Sequence, residues 1–248
     1  MKKQVIDAFS QAVDYQEHAH VQRRVAHTLA DGLPSLTRPM VLELGCGTGF
    51  LSQHLLARWP DGRFVLSDIA EPMVQRCRGR LGERAGVHYV VLDGEQPAVG
   101  WGYDLIAASM VMQWFSDPLA ALPGLRGLLR PGGYLLMATL GPESFQEWRG
   151  ACAEWGMANG LPAYPTLADW RGAWPASGGV RLWEERIVVQ HPSALAFLRA
   201  LRAVGAHLPV SGYRPQPVGR MRRLLRGWEG GFSITYHVLY GVFAVDGN

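Results

Sequence analysis

Apolar runs and stretches of mixed polarity follow one another along this chain, and their spacing predicts its secondary structure. Short runs that are apolar throughout predict buried strands, whereas apolar residues three or four positions apart predict helices. The strand pattern occurs at 39–44, 62–68, 86–93, 103–109 and 132–140; 180–190 indicates a sixth strand, and 231–245 alternates for long enough to be a final strand. The helix pattern occurs at 17–30, 48–59, 71–84, 117–129, 143–158, 192–206 and 217–229.

The order of these elements predicts the fold class. Continuous apolar strands that alternate with helices are typical of a parallel sheet covered on both faces. We therefore expect an α/β fold with a mostly parallel, seven-stranded sheet. The chain is expected to form a single domain over 1–248, with an N-terminal helical cap (1–38), a ligand-binding core (39–140) and a C-terminal half (141–248). Segment 159–179, rich in Gly, Pro and Trp, is a candidate lid.

Composition argues against a membrane-spanning, a secreted or a disulfide-rich protein. Hydrophobic residues make up 48% of the 248 residues, and no apolar stretch approaches a membrane-spanning length. Asp7 interrupts the N-terminal stretch that a signal peptide would keep apolar. Cys46, Cys77 and Cys152 lack CxxC spacing, so we expect no disulfide framework and a cytoplasmic location.

Positive charge is concentrated toward the C-terminus. The net charge is only +3, but 181–226 contains nine Arg and two Glu, a local balance of 9 − 2 = +7. This asymmetry favours an acidic partner or substrate and is too mild to favour nucleic acid. His18, His20 and His27 fit no common zinc spacing, and no metal site is expected.

The strongest candidate for a ligand site follows the first predicted strand. VLELGCGTG (41–49) places Gly45, Gly47 and Gly49 between a strand and a helix, where backbone amides can bind a ligand. The third glycine comes one residue earlier than in the dinucleotide fingerprint G-x-G-x-x-G. A glycine loop alone is a weak signal and is compatible with a simple tight turn, so the neighbouring side chains must decide.

Three carboxylates end the first three predicted strands. Glu43 suits a cationic amino group, and Asp68 can accept hydrogen bonds from both hydroxyls of a ribose. Asp93 can accept from an exocyclic amine such as that of adenine. S-adenosylmethionine carries all of these groups together with a positive centre, and it is the cofactor we expect.

These motifs carry a resemblance to a known class of enzymes. ELGCGTG, the strand-ending Asp68, LDGEQP (92–97) and LRPGGYL (129–135) together resemble the class I S-adenosylmethionine-dependent methyltransferases over about 39–140. The resemblance implies a Rossmann-like fold with the N-terminal helical segment over the site. We assign cofactor contacts to Glu43, Gly45, Gly47, Gly49, Asp68, Met73, Asp93, Gly94 and Ser109. Met73 also fits a purely structural role in the core.

Four further segments narrow the resemblance to one family. AFSQAVDYQEHAHVQRRVA (8–26), ASMVMQWFSDP (108–118), LRALRAVGAHLP (198–209) and ITYHVLYGVFA (234–244), in this order, are similar to the BioC family, the malonyl-acyl-carrier-protein O-methyltransferases of biotin synthesis. The resemblance then spans nearly the whole chain, with 159–190 the poorest match. It implies methylation of the free carboxylate of a malonyl thioester, on acyl carrier protein or coenzyme A.

The implied reaction points to a small set of residues that would bind the substrate. An arginine can hold one carboxylate oxygen by charge-assisted hydrogen bonds, and Arg199 is the first candidate for this role. Arg202 lies beside it on the same helix face and is the second candidate, although both also fit a solvated helix face. Tyr15 matches a tyrosine that lies over the active site in the family, and we assign it a catalytic role. Trp114 is expected to form a wall of the substrate pocket.

The basic helix RMRRLLRGW (220–228) is the candidate docking surface for an acidic carrier protein. Its arginines, Arg220, Arg222, Arg223 and Arg226, would attract such a partner by electrostatic steering, or simply form a solvated outer face. We expect a monomer that binds neither nucleic acid nor a membrane. In the last strand, Tyr236 and His237 point to opposite faces, and the sequence does not say which faces the site.

Two other functions fit the same residues. One is methylation of a different small carboxylate or of a phenol, which would need a base near Trp114 or Tyr15 to take its proton. The other is a cofactor-binding assembly factor that no longer transfers methyl groups.

Overall fold

A seven-stranded sheet forms the centre of the protein, whose computed structural model describes residues 2–247 apart from the side chain of Glu229. The strands are β1 Met40–Leu44, β2 Arg63–Asp68, β3 Val87–Val91, β4 Tyr103–Ser109, β5 Leu129–Leu140, β6 Val180–Ser193 and β7 Glu229–Ala244. Their spatial order is β3-β2-β1-β4-β5-β7-β6. Pairing is parallel from β3 to β5 and antiparallel where β7 meets β5 and β6. The predicted mostly parallel sheet is confirmed.

Helices cover both faces of this sheet. They are α1 Lys2–Ser10, α2 Tyr15–His18, α3 His20–Ala30, α4 Ser52–Arg58, α5 Glu71–Leu81, α6 Leu122–Leu128, α7 Gln146–Glu154, α8 Leu167–Ala173, α9 Ala194–Ala203 and α10 Val218–Arg226. Among the described residues, none of these helices has the length and apolar character that a bilayer crossing requires.

Alternate residues of the central strands pack into two separate cores. In β1, Val41 joins the core under α3 and α4, whereas Leu42 joins the core under α6 and α8. Leu105 and Ile106 of β4 divide in the same way. Because both faces are buried, the strands carry the continuous apolar runs from which they were predicted.

Two elements differ from the sequence expectation. The predicted helix 17–30 is interrupted at Ala19, which separates α2 from α3. Helix α8 was not predicted, because Gly, Pro and Trp dominate its surroundings. A capping box forms it: the Thr166 side chain accepts from the Asp169 amide while the Asp169 carboxylate accepts from the Thr166 amide. The fully buried Trp170 then anchors the helix in the core.

The strand order places the candidate site at one edge of the sheet. β1 pairs with β2 on one side and with β4 on the other, so the chain reverses its winding direction there. Ligands of open α/β sheets bind in the crevice beyond the carboxyl ends of the strands at this switch point. The loops that leave β1, β2, β3 and β4 meet there.

Candidate active site

Each glycine of the loop after β1 has a different structural role. Gly45 has φ +66°, and a Cβ on it would lie 2.6 Å from Val111 Cγ2. A Cβ on Gly49 would lie 3.1 Å from Leu81 Cδ1, so this glycine allows close packing against α5. A Cβ on Gly47 would approach only the Tyr15 hydroxyl, at 3.9 Å. Gly47 is therefore the position where bare backbone faces the cavity.

Asp68, at the end of β2, is bonded to this loop. Its Oδ2 accepts from the Gly47 amide at 3.0 Å and its Oδ1 accepts from the Ala70 amide at 2.9 Å. Burial raises the pKa of the Asp68 carboxyl, and these amide hydrogen bonds partly oppose the shift. The carboxylate is thus fixed in orientation at the cavity wall, where it can accept further hydrogen bonds from a ligand.

Asp93 takes part in an ion-pair cluster that the sequence did not indicate. Lys2 Nζ, at the start of α1, donates to Asp93 Oδ2 at 2.6 Å and lies 3.0 Å from Glu95 Oε2. Glu95 Oε1 accepts from the amides of Ser116 and Asp117 at 2.7 and 3.0 Å. These contacts join α1 to the loops after β3 and β4. We refer to Lys2, Asp93 and Glu95 as the α1 clamp.

Glu43 lies behind the glycine loop rather than in the cavity. It is 2% exposed, and it does not line the cavity that contains Gly45 and Gly47. Burial raises the pKa of its carboxyl well above the ordinary value, while the neighbouring Ser52 partly opposes the shift. Its Oε2 has no hydrogen-bond partner among the described residues. Direct contact with a cationic amino group, as expected from the sequence, therefore has no support in this arrangement.

The other predicted cofactor residues come together, apart from Gly49. They line one cavity of about 70 Å³: Gly45, Gly47, Asp68, Met73, Asp93, Gly94 and Ser109. Ile69, Leu92 and Phe115 add apolar walls, and α1 contributes Lys2, Val5 and Phe9. The cavity therefore joins carboxylate acceptors to apolar and aromatic surface.

The backbone at the end of β4 is strained. Met110 has φ +57°, a conformation that non-glycine residues rarely adopt, and its amide donates to Ala138 O at 2.7 Å. Such strain costs roughly 1–3 kcal/mol and is concentrated at functional sites. Met110 lines the cofactor cavity and also a second cavity beside it.

The second cavity is larger, at about 320 Å³, and lies next to the first. Both cavities are lined by Val5, Phe9, Tyr15, Met110, Trp114 and Phe115. At this junction the Phe9 and Trp114 rings meet edge to face with centroids 5.4 Å apart. Tyr15 stacks on Phe50 at 6.2 Å. The predicted positions of Tyr15 and Trp114 thus coincide with the point where a cofactor and a substrate would meet.

The larger cavity is neutral. Among the described residues, its lining includes no Asp, Glu, Lys, Arg or His. Its ionisable groups are the phenols of Tyr15, Tyr164 and Tyr236, and burial raises the pKa of each. At neutral pH these tyrosines keep their protons and act as hydrogen-bond donors.

The structure does not bring Arg199 or Arg202 to this cavity. Both are exposed on α9, and neither lines either cavity. The helix instead directs Phe197, Leu201 and Val204, at spacings of four and three residues, toward the core and the cavity. The predicted arginine clamp on a substrate carboxylate therefore has no support in this geometry.

The structure shows where two features lie whose positions the sequence left open. Tyr236 lines the large cavity, whereas His237 points to the other face, where its Nε2 lies 3.1 Å from Glu184 Oε2. The candidate lid 159–179 divides into two parts. Residues 161–165 line the large cavity, and α8 with the following Trp174 packs against the opposite core.

One arginine side chain holds the wall of the large cavity in place, and several others are exposed on α10. Arg149 donates to Pro162 O at 2.7 Å and so fixes the wall 161–165 to α7. In α10, Leu224 is buried while Arg222, Arg223 and Arg226 are exposed. Arg220 is also exposed, but it donates to Trp155 O.

Among the described residues, no group of three or more His, Cys, Asp or Glu is arranged to hold a metal ion.

Comparisons with known proteins agree with this geometry. Residues 42–135 match a family model described as a methyltransferase domain. The chain is 48% identical over 242 residues to the malonyl-[acyl-carrier protein] O-methyltransferase of Magnetococcus marinus, covering 95% of this chain and 90% of that protein. It is 40% identical over 246 residues to the biotin biosynthesis bifunctional protein BioCD of Bordetella avium, covering 96% of this chain and 52% of that longer protein.

Among solved structures, the YcgJ protein of Bacillus subtilis superposes with a TM-score of 0.65 at 13% identity, over 91% of this chain and 99% of that chain. The fold, the glycine loop and the acidic strand ends define a Rossmann-like class I methyltransferase. Within that class, the chain belongs to the BioC family, the malonyl-[acyl-carrier protein] O-methyltransferases.

The residues that line the smaller cavity suit the cofactor of this class, S-adenosylmethionine. Asp68 offers carboxylate oxygens for ribose hydroxyls, and Asp93 offers one for an amine. The bare backbone of Gly47 allows close approach of the ligand. The aromatic faces of Phe9, Tyr15 and Trp114 suit a positively charged sulfur, since ring faces attract cations.

Proposed function

We propose that this protein methylates the free carboxylate of a malonyl thioester with S-adenosylmethionine, giving the methyl ester at an early step of biotin synthesis. The names of its relatives support an acyl-carrier-protein thioester as substrate. A cytoplasmic location and a monomeric state are part of the proposal. The three cysteines, all free and buried, are compatible with a reducing compartment.

The observation that carries the proposal is the neutral lining of the large cavity. A phenol would have to lose its proton to a base, and the described lining offers none that is basic at neutral pH. A carboxylate is already ionised at this pH and needs no base. The site therefore suits a carboxylate nucleophile better than a phenol.

The residues of the site are suited to alignment and desolvation. Held by Asp68 and the loop after β1, S-adenosylmethionine would supply a methyl group on a sulfonium; a carboxylate oxygen would form the new O–C bond as the S–C bond breaks, with its electron pair left on sulfur and no proton transferred. Tyr15, Phe9 and Trp114 surround the cavity junction with aromatic surface, which disfavours water there and so strengthens electrostatic interactions. The raised pKa of Tyr15 keeps its hydroxyl protonated as a donor.

The charge of the C-terminal half supports a carrier protein as the partner. From Arg186 to Trp228 the chain has eight arginines and no Asp or Glu. Arg222, Arg223 and Arg226 project from α10, and the exposed Arg199 and Arg202 add positive charge on α9. Such a surface would attract an acidic partner and speed its association.

A turnover assay tests the proposed reaction directly. Purified protein is incubated with S-adenosylmethionine and either malonyl-acyl carrier protein or malonyl-coenzyme A. We expect equal amounts of methyl ester and S-adenosylhomocysteine, detected by mass spectrometry. Acetyl thioesters, which lack the carboxylate, serve as the matched control and should give neither product.

Different results would point to the other functions. Cofactor binding without turnover of either malonyl thioester would favour a non-catalytic assembly factor. Efficient methylation of succinyl or phenolic substrates in place of malonyl thioesters would show that the substrate class is wrong.

A further inference from the structure

Gln113 lies in the wall of the large cavity, next to a residue that lines both cavities. It lies in the short 3-10 turn Met112–Trp114, which follows the strained Met110 at the end of β4. Its side chain is half-buried and lines the large cavity, while the adjacent Trp114 lines both cavities. Gln113 is therefore close to the point where methyl donor and acceptor would meet.

The protein fixes the orientation of the Gln113 amide. Its Nε2 donates to Met110 O at 2.8 Å, and its Oε1 accepts from the Thr139 hydroxyl at 3.2 Å. The Met110 carbonyl can only accept a hydrogen bond, so the NH₂ end of the amide must face it. Thr139 lies on β5 and is 1% exposed, which holds its hydroxyl against the amide oxygen.

This arrangement leaves one N–H bond of the Gln113 amide without an acceptor among the described residues. The amide oxygen is occupied by Thr139, while the NH₂ group, which has two N–H bonds, has Met110 O as its only acceptor among the described residues. Gln113 therefore offers one free N–H donor to a ligand. Carboxylate oxygens only accept hydrogen bonds, so the two groups are complementary.

A neutral donor also explains how a cavity without arginine can take a carboxylate. Hydrogen bonds to charged groups are worth more than those between neutral groups, so an amide donor contributes binding and orientation. Unlike a guanidinium, it does not neutralise the charge on the nucleophile. This preserves the reactivity of the second carboxylate oxygen.

We propose that Gln113 binds the substrate carboxylate through its free amide N–H, and that Thr139 is a positioning residue that sets the orientation of that amide. The inference rests on the proposed function, since it assumes a carboxylate substrate. Gln22 provides a comparison, because it lines the same cavity without a side-chain hydrogen bond among the described residues.

The test measures the preference for a carboxylate separately from turnover. Calorimetry gives the Kd of malonyl-coenzyme A and of acetyl-coenzyme A in the presence of S-adenosylhomocysteine. Gln113→Met removes the donor with little change in shape, and we expect the malonyl-over-acetyl preference to fall about 10- to 100-fold. Cofactor Kd should change less than about twofold, because Gln113 does not line the cofactor cavity.

Variants of Thr139 and Gln22 complete the design. Thr139→Val keeps the shape but loses the hydroxyl, and should lower the malonyl preference by about three- to tenfold. Thr139→Ser keeps the hydroxyl, and its malonyl preference should stay within about twofold of the wild-type value. Gln22→Met removes the amide of another residue that lines this cavity; because no described protein group fixes the orientation of that amide, we expect the malonyl preference to fall by less than about threefold.

Several results would overturn the inference. These are an unchanged malonyl preference in Gln113→Met, an equal loss in Gln22→Met, or a parallel loss of cofactor affinity. A wild-type protein with no malonyl preference would also overturn it. If the wild type shows the preference and Gln113→Met loses it, but no methyl ester forms in the turnover assay, the proposed reaction is wrong and the carboxylate contact stands.

Discussion

Two carboxyls beside the glycine loop, those of Glu43 and Asp68, lie in surroundings that disfavour their charged forms. Glu43 and Asp68 both have a raised pKa, in each case chiefly because burial disfavours the charged form. Asp68 is supported by two backbone amides, whereas Glu43 Oε2 has no partner among the described residues. Keeping Glu43 ionised at neutral pH therefore destabilises the folded protein.

This predicts how stability depends on pH. Between the ordinary carboxyl pKa of about 4.3 and the raised pKa, the folded state holds more protons than the unfolded state. The free energy of unfolding should therefore fall as pH rises through that window. Glu43→Gln should flatten the fall, because a neutral side chain removes the proton linkage.

Urea unfolding of the cofactor-free protein at a series of pH values measures this effect. Each unit of pKa difference corresponds to about 1.4 kcal/mol between the protonation states. Glu71→Gln, at an exposed glutamate of α5, is the matched control and should follow the wild-type curve. An identical slope in wild type and Glu43→Gln would contradict the prediction.

At the scale of elements, α1 forms one wall of the cofactor cavity, and we expect it to govern how the cofactor enters. Small-molecule sites usually have volumes of about 300–1,000 Å³, whereas this cavity has about 70 Å³. Val5 and Phe9 of α1 line it, and the α1 clamp ties the helix to the loops after β3 and β4. Because α1 forms one wall of a cavity this small, we expect the helix to move when the cofactor enters.

Lys2→Ala should loosen this closure. The ammonium occupies Asp93 Oδ2, so its removal frees that oxygen and releases α1. We expect the rates of cofactor binding and dissociation both to rise about two- to fivefold, a modest change because the side chain is 38% exposed and screened by water. Stopped-flow tryptophan fluorescence, with Trp114 at the cavity wall, follows both rates.

Lys3→Ala controls for the loss of a positive charge, because Lys3 is the exposed neighbour in the same helix. Its rates should match those of the wild type. Equal acceleration in both variants would show that general charge, rather than the clamp, governs exchange. High salt should reduce the difference between Lys2→Ala and the wild type.

The elements also show where prediction from sequence succeeds. All seven strands were predicted; the central strands β1 and β4 gave the clearest apolar runs, because burial on both faces leaves few polar positions within them. Helix α8 was missed, because its capping box is weaker as a signal than the surrounding Gly and Pro. The face of α9 was also misjudged: Arg199 was expected at the site, but Leu201 and Val204 are there. The spacing of apolar residues predicts which face of a helix is buried, but it does not predict which cavity that face lines.

For the whole molecule, the main electrostatic feature is the positive segment from Arg186 to Trp228, which has eight arginines and no Asp or Glu. α10 buries Leu224 and exposes Arg222 and Arg223 on a surface separate from the cavities. Replacement of both arginines by Glu should therefore leave the chemistry intact. We expect the KM for malonyl-acyl carrier protein to rise about tenfold or more at low salt, with no change for malonyl-coenzyme A.

A matched double variant separates location from net charge. Arg58→Glu combined with Arg171→Glu changes the charge equally on exposed positions of α4 and α8. It should leave both KM values near those of the wild type. A similar rise with both substrates in the α10 variant would show that this helix supports the fold rather than docking.

The sequence by itself determined the order of strands and helices, the glycine loop, and the places of Asp68 and Asp93. These follow from local order, because parallel strands bring their carboxyl ends to one edge of the sheet wherever the helices pack. Only the tertiary structure decided that Lys2 reaches Asp93, 91 residues away, and that Thr139 holds Gln113 from a neighbouring strand. Such contacts depend on how elements dock, and the spacing of apolar residues does not encode that geometry.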